Sequence, residues 1–381
     1  MNILFISNDP KIFKVDSEVR GRMRAYARVF GELHIISPAA LGTEEVHEEN
    51  LHLYPVFSSR LLRIWVLTRK AKKLIRGKNI EIVSAQDPFE HGLAALKAVE
   101  GTSAKLHIQV HTDFLSPWFT RSGNWRSPQV HMPFLNRMRI RWADRVLPHA
   151  QGIRVVSERV KASLIERYGE RIAEPAVIPV SIDSALPPPG RLPAHRFTFV
   201  LMTIGRLEPE KRIEDILAAL KLVTEHYPMA GLCIVGNGRE RKRLEDTVHS
   251  LHLERNVLFL GDRSDARALL SQAHVYIQAS AYEGYSRTLL EAALARVPII
   301  TTDVGIVGEV FKGYEEVLAV PVADPTALSL AIVGILEDSG VRQGLIVHAE
   351  AAAHAHLESV GDIQTRLKQD FEKTCAVPMQ L

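Results

Sequence analysis

Short apolar runs alternate with amphipathic stretches along the whole chain. In the first half the runs are NILFI, LHIIS, IEIVSAQ, KLHIQVH, GIRVVS and AVIPV. Runs this short, nearly continuous in hydrophobicity and rich in β-branched residues, predict strands buried on both faces, and therefore parallel sheets. The stretch SEVRGRMRAYARVFG between the first two has helical spacing and ends at Gly31, as a C-cap would. The rhythm breaks at SALPPPGRLPAHR, residues 184–196, a Pro/Gly-rich linker. It then restarts with FTFVLMTIG, AGLCIVG, NVLFLG, HVYIQAS, VPIITTD and EEVLAVPV, each expected to lead into a helix. A last helical segment, Ser359 to Cys375, lies beyond the final strand and is expected to cross back to the first domain. The pattern predicts an α/β protein of two Rossmann-like, doubly wound parallel-sheet domains facing a cleft. Their expected extents are residues 1–185 plus 359–381, and residues 195–358. Ligands of such sheets bind outside the carboxyl ends of the strands.

Composition narrows the setting. A chain of 381 residues exceeds one ordinary core, and 46% hydrophobic with 24% charged residues is usual for a soluble globular protein. No run of 18 apolar residues predicts a membrane span, and MNILFISNDP reads as a first strand rather than a signal peptide. Cys233 and Cys375 have neither metal-ligand nor redox spacing, so a reduced, cytoplasmic setting is expected. The net charge of +3 hides an asymmetry. Residues 1–190 carry 27 Lys/Arg against 19 Asp/Glu, a balance of +8; residues 191–381 carry 20 against 25, or −5. Arg60 to Lys78 holds eight basic residues and no acid, and Asn136 to Arg145 forms a second basic cluster. Such segments suit either a solvated helix face or an anionic membrane surface, which places a peripheral position on the inner membrane face among the expectations. The acidic second half and the lack of a recognition motif argue against nucleic acid.

The chemistry concentrates in EGYSRTLLEAALARVPIITTDVG, Glu283 to Gly305. It opens as a loop at a strand's carboxyl end and becomes a helix near Ser286. A helix start offers unpaired N–H groups and partial positive charge, suited to phosphate. Glu283 in the loop can accept hydrogen bonds from sugar hydroxyls, and Glu291 within the helix can take a ribose hydroxyl pair. A nucleotide sugar has hydroxyls at both ends and phosphates between. In TIGRLEPEKR, Gly205 closes a strand while Arg206 and Lys211 supply a fork and a point charge for a diphosphate, without a metal. No Asp-x-Asp or His cluster points to a divalent ion.

These residues resemble retaining glycosyltransferase family 4, of the two-domain GT-B fold. Its Glu-x7-Glu is matched by Glu283 and Glu291, and its Gly-Arg-Leu with a downstream Lys by Gly205, Arg206, Leu207 and Lys211. Weaker matches run through VGNGRERKRL, LGDRSD, VVSERVKASL and IPVSID. The resemblance implies a nucleotide-sugar donor, UDP- or GDP-linked, and no further cofactor. The acceptor would be a glycan, a lipid-linked sugar or a small molecule, and the product a cell-surface glycan or glycolipid. Glu283 would meet the donor sugar, Glu291 the ribose, and the backbone of Gly284, Tyr285, Ser286 and Arg287 the sugar and phosphates. Arg206 and Lys211 would hold the diphosphate, Gly236 and Arg263 would lie near the base, and His111 of QVHTDF would approach the reacting carbon. Two features depart from the family. The first loop, Ser7 to Met23, has no glycine before Gly21, so Asn8, Asp9 or Lys11 substitutes for the usual diphosphate contact or the loop serves the acceptor, with Arg20, Arg22 or Arg24 available for an acceptor phosphate. Arg287 stands where small residues are common, and either reads a donor substituent or reaches solvent. A sugar-nucleotide epimerase, a sugar-phosphate synthase and a non-catalytic nucleotide-sugar binding module are the alternative readings.

Overall fold

The computed structural model describes residues 1–59, 61–120 and 133–378. The chain divides into two compact units: residues 1–115, 133–179 and 362–381 form the first, and residues 116–132 and 180–361 the second. Arg60 of the basic stretch lies outside the described residues.

The first unit is built on strands β1 (Asn2–Ile6), β2 (Glu32–Pro38), β3 (Val46–Glu48), β4 (Leu51–Val56), β5 (Ile82–Ala85), β6 (Lys105–Val110), β7 (Gly152–Val155) and β8 (Ala176–Val177). They form one sheet in the order β3-β4-β2-β1-β5-β6-β7-β8. All neighbours are parallel except β3, which pairs antiparallel with β4. The sheet is therefore mixed, where an all-parallel one was expected. Neither β3 nor β4 forms an obvious apolar run: in VHEENLHLYPV, histidines and glutamates occupy the outward positions of an edge hairpin, and hydrophobicity alternates instead of running on. Helices α1 (Glu18–Phe30), α2 (Arg63–Lys78), α3 (Glu90–Val99), α5 (Pro133–Val146) and α6 (Glu158–Tyr168) connect these strands. Helix α1 starts at Ser17, whose side chain accepts from the Arg20 N–H, and stops at Gly31, whose φ of 106° few other residues adopt.

The second unit carries a six-stranded sheet in the order β11-β10-β9-β12-β13-β14. Its strands are β9 (Phe199–Ile204), β10 (Ala230–Val235), β11 (Val257–Gly261), β12 (Val275–Gln278), β13 (Ile299–Thr302) and β14 (Leu318–Val320), every pair parallel. Its helices are α7 (Ile213–Val223), α8 (Arg241–Ser250), α9 (Ala266–Leu269), α10 (Arg287–Leu294), α11 (Pro325–Glu337) and α12 (Ser339–Val360). Leu201, Ile216, Leu220, Leu232, Ile277 and Ile332 meet in one core between sheet and helices. The short helix α4 (Pro117–Thr120) also belongs here, with Phe119 edge-on to Tyr282 at 5.4 Å. Between β13 and β14 the chain runs through turns where a helix was expected.

Helix α12 runs to Val360, so Ser359 lies in its last turn instead of opening the last helix. Gly361, at φ 61°, breaks the run, and Asp362 caps α13 (Ile363–Ala376) by accepting from the Gln364 N–H. As expected, α13 belongs to the first unit, where Phe371 packs against Phe5 and Phe30. The two sheets and their crossover helices are the Rossmann-like pair anticipated from the apolar runs.

Candidate functional site

The second unit gathers most of the expected residues at the carboxyl ends of β9, β10 and β12. Beyond β9, Gly205 donates its N–H to the Val235 carbonyl, and Leu207 donates to Asn237. The two loops lie so close that a Cβ on Gly236 would sit 1.9 Å from the Gly205 carbonyl oxygen, and Gly236 has φ 128°. Only glycine fits, for space and for conformation. The β9 loop is also tied to the β12 loop, because the Ala281 N–H donates to the Glu210 carbonyl at 2.7 Å. Gly205, Arg206, Lys211, Gln278 and Ser280 line a small cavity where these loops meet.

Within it, Lys211 Nζ forms an ion pair with Glu283, whose carboxylate also accepts from Ser280 Oγ at 2.7 Å. Both side chains are mostly buried. Glu291 is 6% exposed and lies 2.8 Å from Arg287 Nε, one helical turn before it. Arg287 is thus partly exposed and paired within its own helix. Positions i and i+4 share a helix face, and burying Glu291 makes a cationic partner favourable. Arg206 is largely exposed, with Nη2 3.3 Å from Glu210, and Arg263 grips Asp265 through two contacts of 2.7 Å. Every cation named for the diphosphate or base thus rests on a carboxylate.

The mouth of α10 supplies the donors. Ser286 adopts a left-handed conformation (φ 69°, ψ 57°), and its Oγ accepts from Gln278 instead of capping the helix. The backbone N–H groups of Tyr285 and Ser286 have no acceptor among the described residues, and unpaired N–H groups at a helix start can receive an anion. The Tyr285 side chain is buried and hydrogen-bonded to His356 Nε2 at 2.7 Å, so this residue can offer a ligand its backbone only. Gly284 joins Tyr285 to Glu283 in the same loop. Gly305, which the sequence left without a role, backs the loop: a Cβ there would meet Ser286 Oγ at 2.4 Å and the Tyr285 carbonyl at 2.8 Å.

The first unit places His111 directly after β6. Its Nε2 lies 3.1 Å from Gln109 Oε1, to which Arg154 Nη1 also donates at 3.0 Å. Arg154 is itself buried, its remaining nitrogens donating to the carbonyls of Ile178 and Pro179. Burial, with the charges of Arg154 and Arg22, depresses the His111 pKa to about 3. In the first loop Asp9 accepts from the Lys11 N–H. Arg20 and Arg24 converge on Glu48 at 2.6 and 2.8 Å and hold its carboxyl at about 2, largely through the Arg24 hydrogen bond. Of the three arginines, Arg22 alone has no ion-pair partner among the described residues. Gln109 and Arg154 escaped the sequence reading; the available signal was a polar residue inside each of two apolar strands, KLHIQV and GIRV. A wider cavity of about 830 Å³ opens elsewhere in this unit, lined by Met1, Arg76, Lys105 and Cys375, and holds none of the expected residues.

Both halves of the chain match known protein families. Residues 195–351 match the family described as "Glycosyl transferases group 1", and residues 23–186 match "Glycosyltransferase Family 4". The chain is 32% identical over 212 residues, 55% of its length, to glycogen synthase of Mycobacterium tuberculosis. It is 30% identical to N-acetyl-alpha-D-glucosaminyl L-malate synthase of Bacillus anthracis over 42% of each chain. It spans about half the length of the curated relatives it matches. Sucrose-phosphate synthase from Thermosynechococcus elongatus has the same fold, with TM-score 0.79 at 19% identity over 98% of both chains. Anabaena HepE, solved with UDP-glucose, gives 0.70 at 18% identity over 99% and 100%. With both halves matched and this fold beneath them, the chain belongs to the GT-B glycosyltransferases of family 4, group 1.

Proposed function

We propose that the protein transfers a sugar from a nucleoside-diphosphate donor to an acceptor with retention of anomeric configuration and without a metal ion. The observation that carries this reading is the Lys211–Glu283 pair beside the close Gly205–Gly236 junction and the two unpaired N–H groups of Tyr285 and Ser286. A diphosphate would draw Lys211 and Arg206 from their carboxylates, and the freed Glu283 would turn to donor hydroxyls. Glu291, held by Arg287, would take the ribose, while Arg263 and Gly236 would flank the base. Cations and N–H groups fixed where charge develops on the leaving diphosphate supply the electrostatic term that usually dominates such reactions. With no protein nucleophile assigned, attack from the leaving-group face, assisted by the departing phosphate, is the working mechanism. His111 is neutral at physiological pH and suited to a substrate hydroxyl. Glu283→Gln should cut transfer sharply while the protein still unfolds in one cooperative transition, at a somewhat lower temperature because Lys211 loses its partner; unchanged turnover would remove Glu283 from the reaction.

The acceptor side favours a lipid-linked or membrane-held substrate. Leu61, Leu62 and Trp65 are exposed at the start of α2, and Arg69, Lys73 and Arg76 continue the same face. The Arg69 guanidinium lies 5.4 Å from the Trp65 ring centroid. An apolar tip leading into a basic stripe suits the surface of an anionic bilayer. No described helix is long and apolar enough to cross one. A peripheral position on the cytoplasmic leaflet and a role in cell-surface glycan or glycolipid assembly complete the proposal. Sedimentation with phosphatidylglycerol vesicles should carry the protein down and lose most of it on Trp65→Ala with Leu61→Ser. Equal sedimentation of the variant would leave a soluble acceptor, as in a sugar-phosphate synthase, the better account.

A further inference from the structure

A hydrogen-bonded chain runs through the interior of the first unit to His111. It starts on α13, where Asp370 Oδ2 meets His107 Nε2 at 2.9 Å. His107 Nδ1 lies 2.9 Å from Ser84 Oγ, and Ser84 Oγ accepts from Gln109 Nε2 at 2.9 Å. Gln109 Oε1 then faces both Arg154 Nη1 and His111 Nε2. Ser84, His107, Gln109 and Arg154 are each at most 3% exposed.

The donors in this chain fix its protons. A guanidinium can only donate, so the Gln109 atom facing Arg154 must be the carbonyl oxygen, and its amide nitrogen must point to Ser84. A flipped amide would set two donors against each other at 3.0 Å in a buried position. With the carbonyl so oriented, the His111 nitrogen beside it must carry hydrogen. We propose that Arg154 and Gln109 are positioning residues that lock His111 as the Nε2–H tautomer, leaving Nδ1 as a lone pair directed to substrate. His111 then serves as a hydrogen-bond acceptor toward a hydroxyl and has no proton to deliver from Nδ1. The charged groups acting on the ring agree: Arg154 and Arg22 oppose a second proton, against the weaker pull of Asp87. Nδ1 itself has no partner among the described residues. The inference rests on the reading of His111 as a substrate contact, and adds the two residues that set its protonation and orientation.

Long-range 1H–15N spectra of the full-length, 15N-labelled protein test this directly, with His111 assigned through His111→Asn. The wild type should show hydrogen on Nε2 alone at every pH from about 5 to 8, because the folded protein holds the ring neutral there. Gln109→Glu keeps the shape but puts a carboxylate between His111 and Arg154, so the ring should gain its second proton well above the wild-type value. Arg154→Met frees the Gln109 amide to turn and should give a mixture of tautomers; its melting curve would check that the unit stays folded. Hydrogen on Nδ1 in the wild type, or a ring that titrates between pH 6 and 7 and does not respond to Gln109→Glu, would overturn the lock. Full transfer activity in His111→Ala would instead sink the substrate-contact reading, whatever the spectra show.

Discussion

Replacing Lys211 with methionine separates what this residue does for the empty protein from what it does for a ligand. Lys211 and Glu283 are paired with side-chain exposures of 22% and 14%, so the pair is neither at the surface nor fully sealed. Breaking a fully buried pair by removing one partner costs about 3–5 kcal/mol, mostly because the other charge is stranded. Here the residual exposure and the Ser280 hydroxyl on Glu283 soften the loss, and a cost of about 1–3 kcal/mol follows. For a unit of this size that lowers the melting temperature by roughly 2–4 °C per kcal/mol. Glu283→Gln in the same chain removes the stranded charge, so the double variant should recover at least half of the loss. Nucleotide binding should respond differently. The double variant should regain stability but not affinity, because the cation proposed for the diphosphate is still missing. Thermal unfolding of the wild type, both single variants and the double, with and without nucleoside diphosphate, completes the cycle. Additive losses in the double variant, or an unchanged melting temperature for Lys211→Met, would refute the pair as drawn.

Further expectations follow from the same geometry. Gly305→Ala forces a Cβ against Ser286 and Tyr285 at a φ of 60°, which costs about 1–3 kcal/mol; nucleotide affinity should fall with it, and an unchanged dissociation constant would detach Gly305 from the site. Glu48 is held at about 2 by Arg24 and Arg20, below the ordinary 4.5. Its contribution to stability is therefore complete above about pH 4.5 and fades as the pH falls toward 2. Acid unfolding of Glu48→Gln should be flatter across that window than the wild type's, and parallel curves would contradict the assignment.

What could be read from the sequence and what could not divides along physical lines. The central strands were plain because a parallel strand covered on both faces must be apolar nearly throughout, as NILFI and LCIV are. Strands β3 and β4 were not, because an edge hairpin with one wet face alternates, and His47 and His52 there look like loop residues. The end of α12 was legible but misplaced: Gly361 followed by Asp362 is a stop and a start, and the helical pattern resumes only beyond them. In the site, Glu283, Glu291, Arg206 and Lys211 stood out by residue type and motif. Their pairings did not. Lys211 and Glu283 are 72 residues apart, and only the register of β9 beside β12 joins them. The Arg287–Glu291 contact follows the i, i+4 rule and is, among the described residues, the one pairing in the site that lies within a single helix. Gln109 and Arg154 show the converse case, polar residues that look like interruptions of a strand until their partners are known.

On the proposed function, the second unit binds a nucleoside-diphosphate sugar with Glu291 at the ribose. The most direct measurement is a thermal-shift series with UDP, GDP and ADP, alone and as their glucose, mannose, galactose and N-acetylglucosamine conjugates, on the wild type and on Glu291→Ala. A ligand at 100 times its dissociation constant adds about 2.7 kcal/mol to stability. A clear rise is expected with one nucleotide, larger when the matching sugar is attached, and lost in Glu291→Ala. No rise with any of them, or a rise that survives the loss of Glu291, would contradict it.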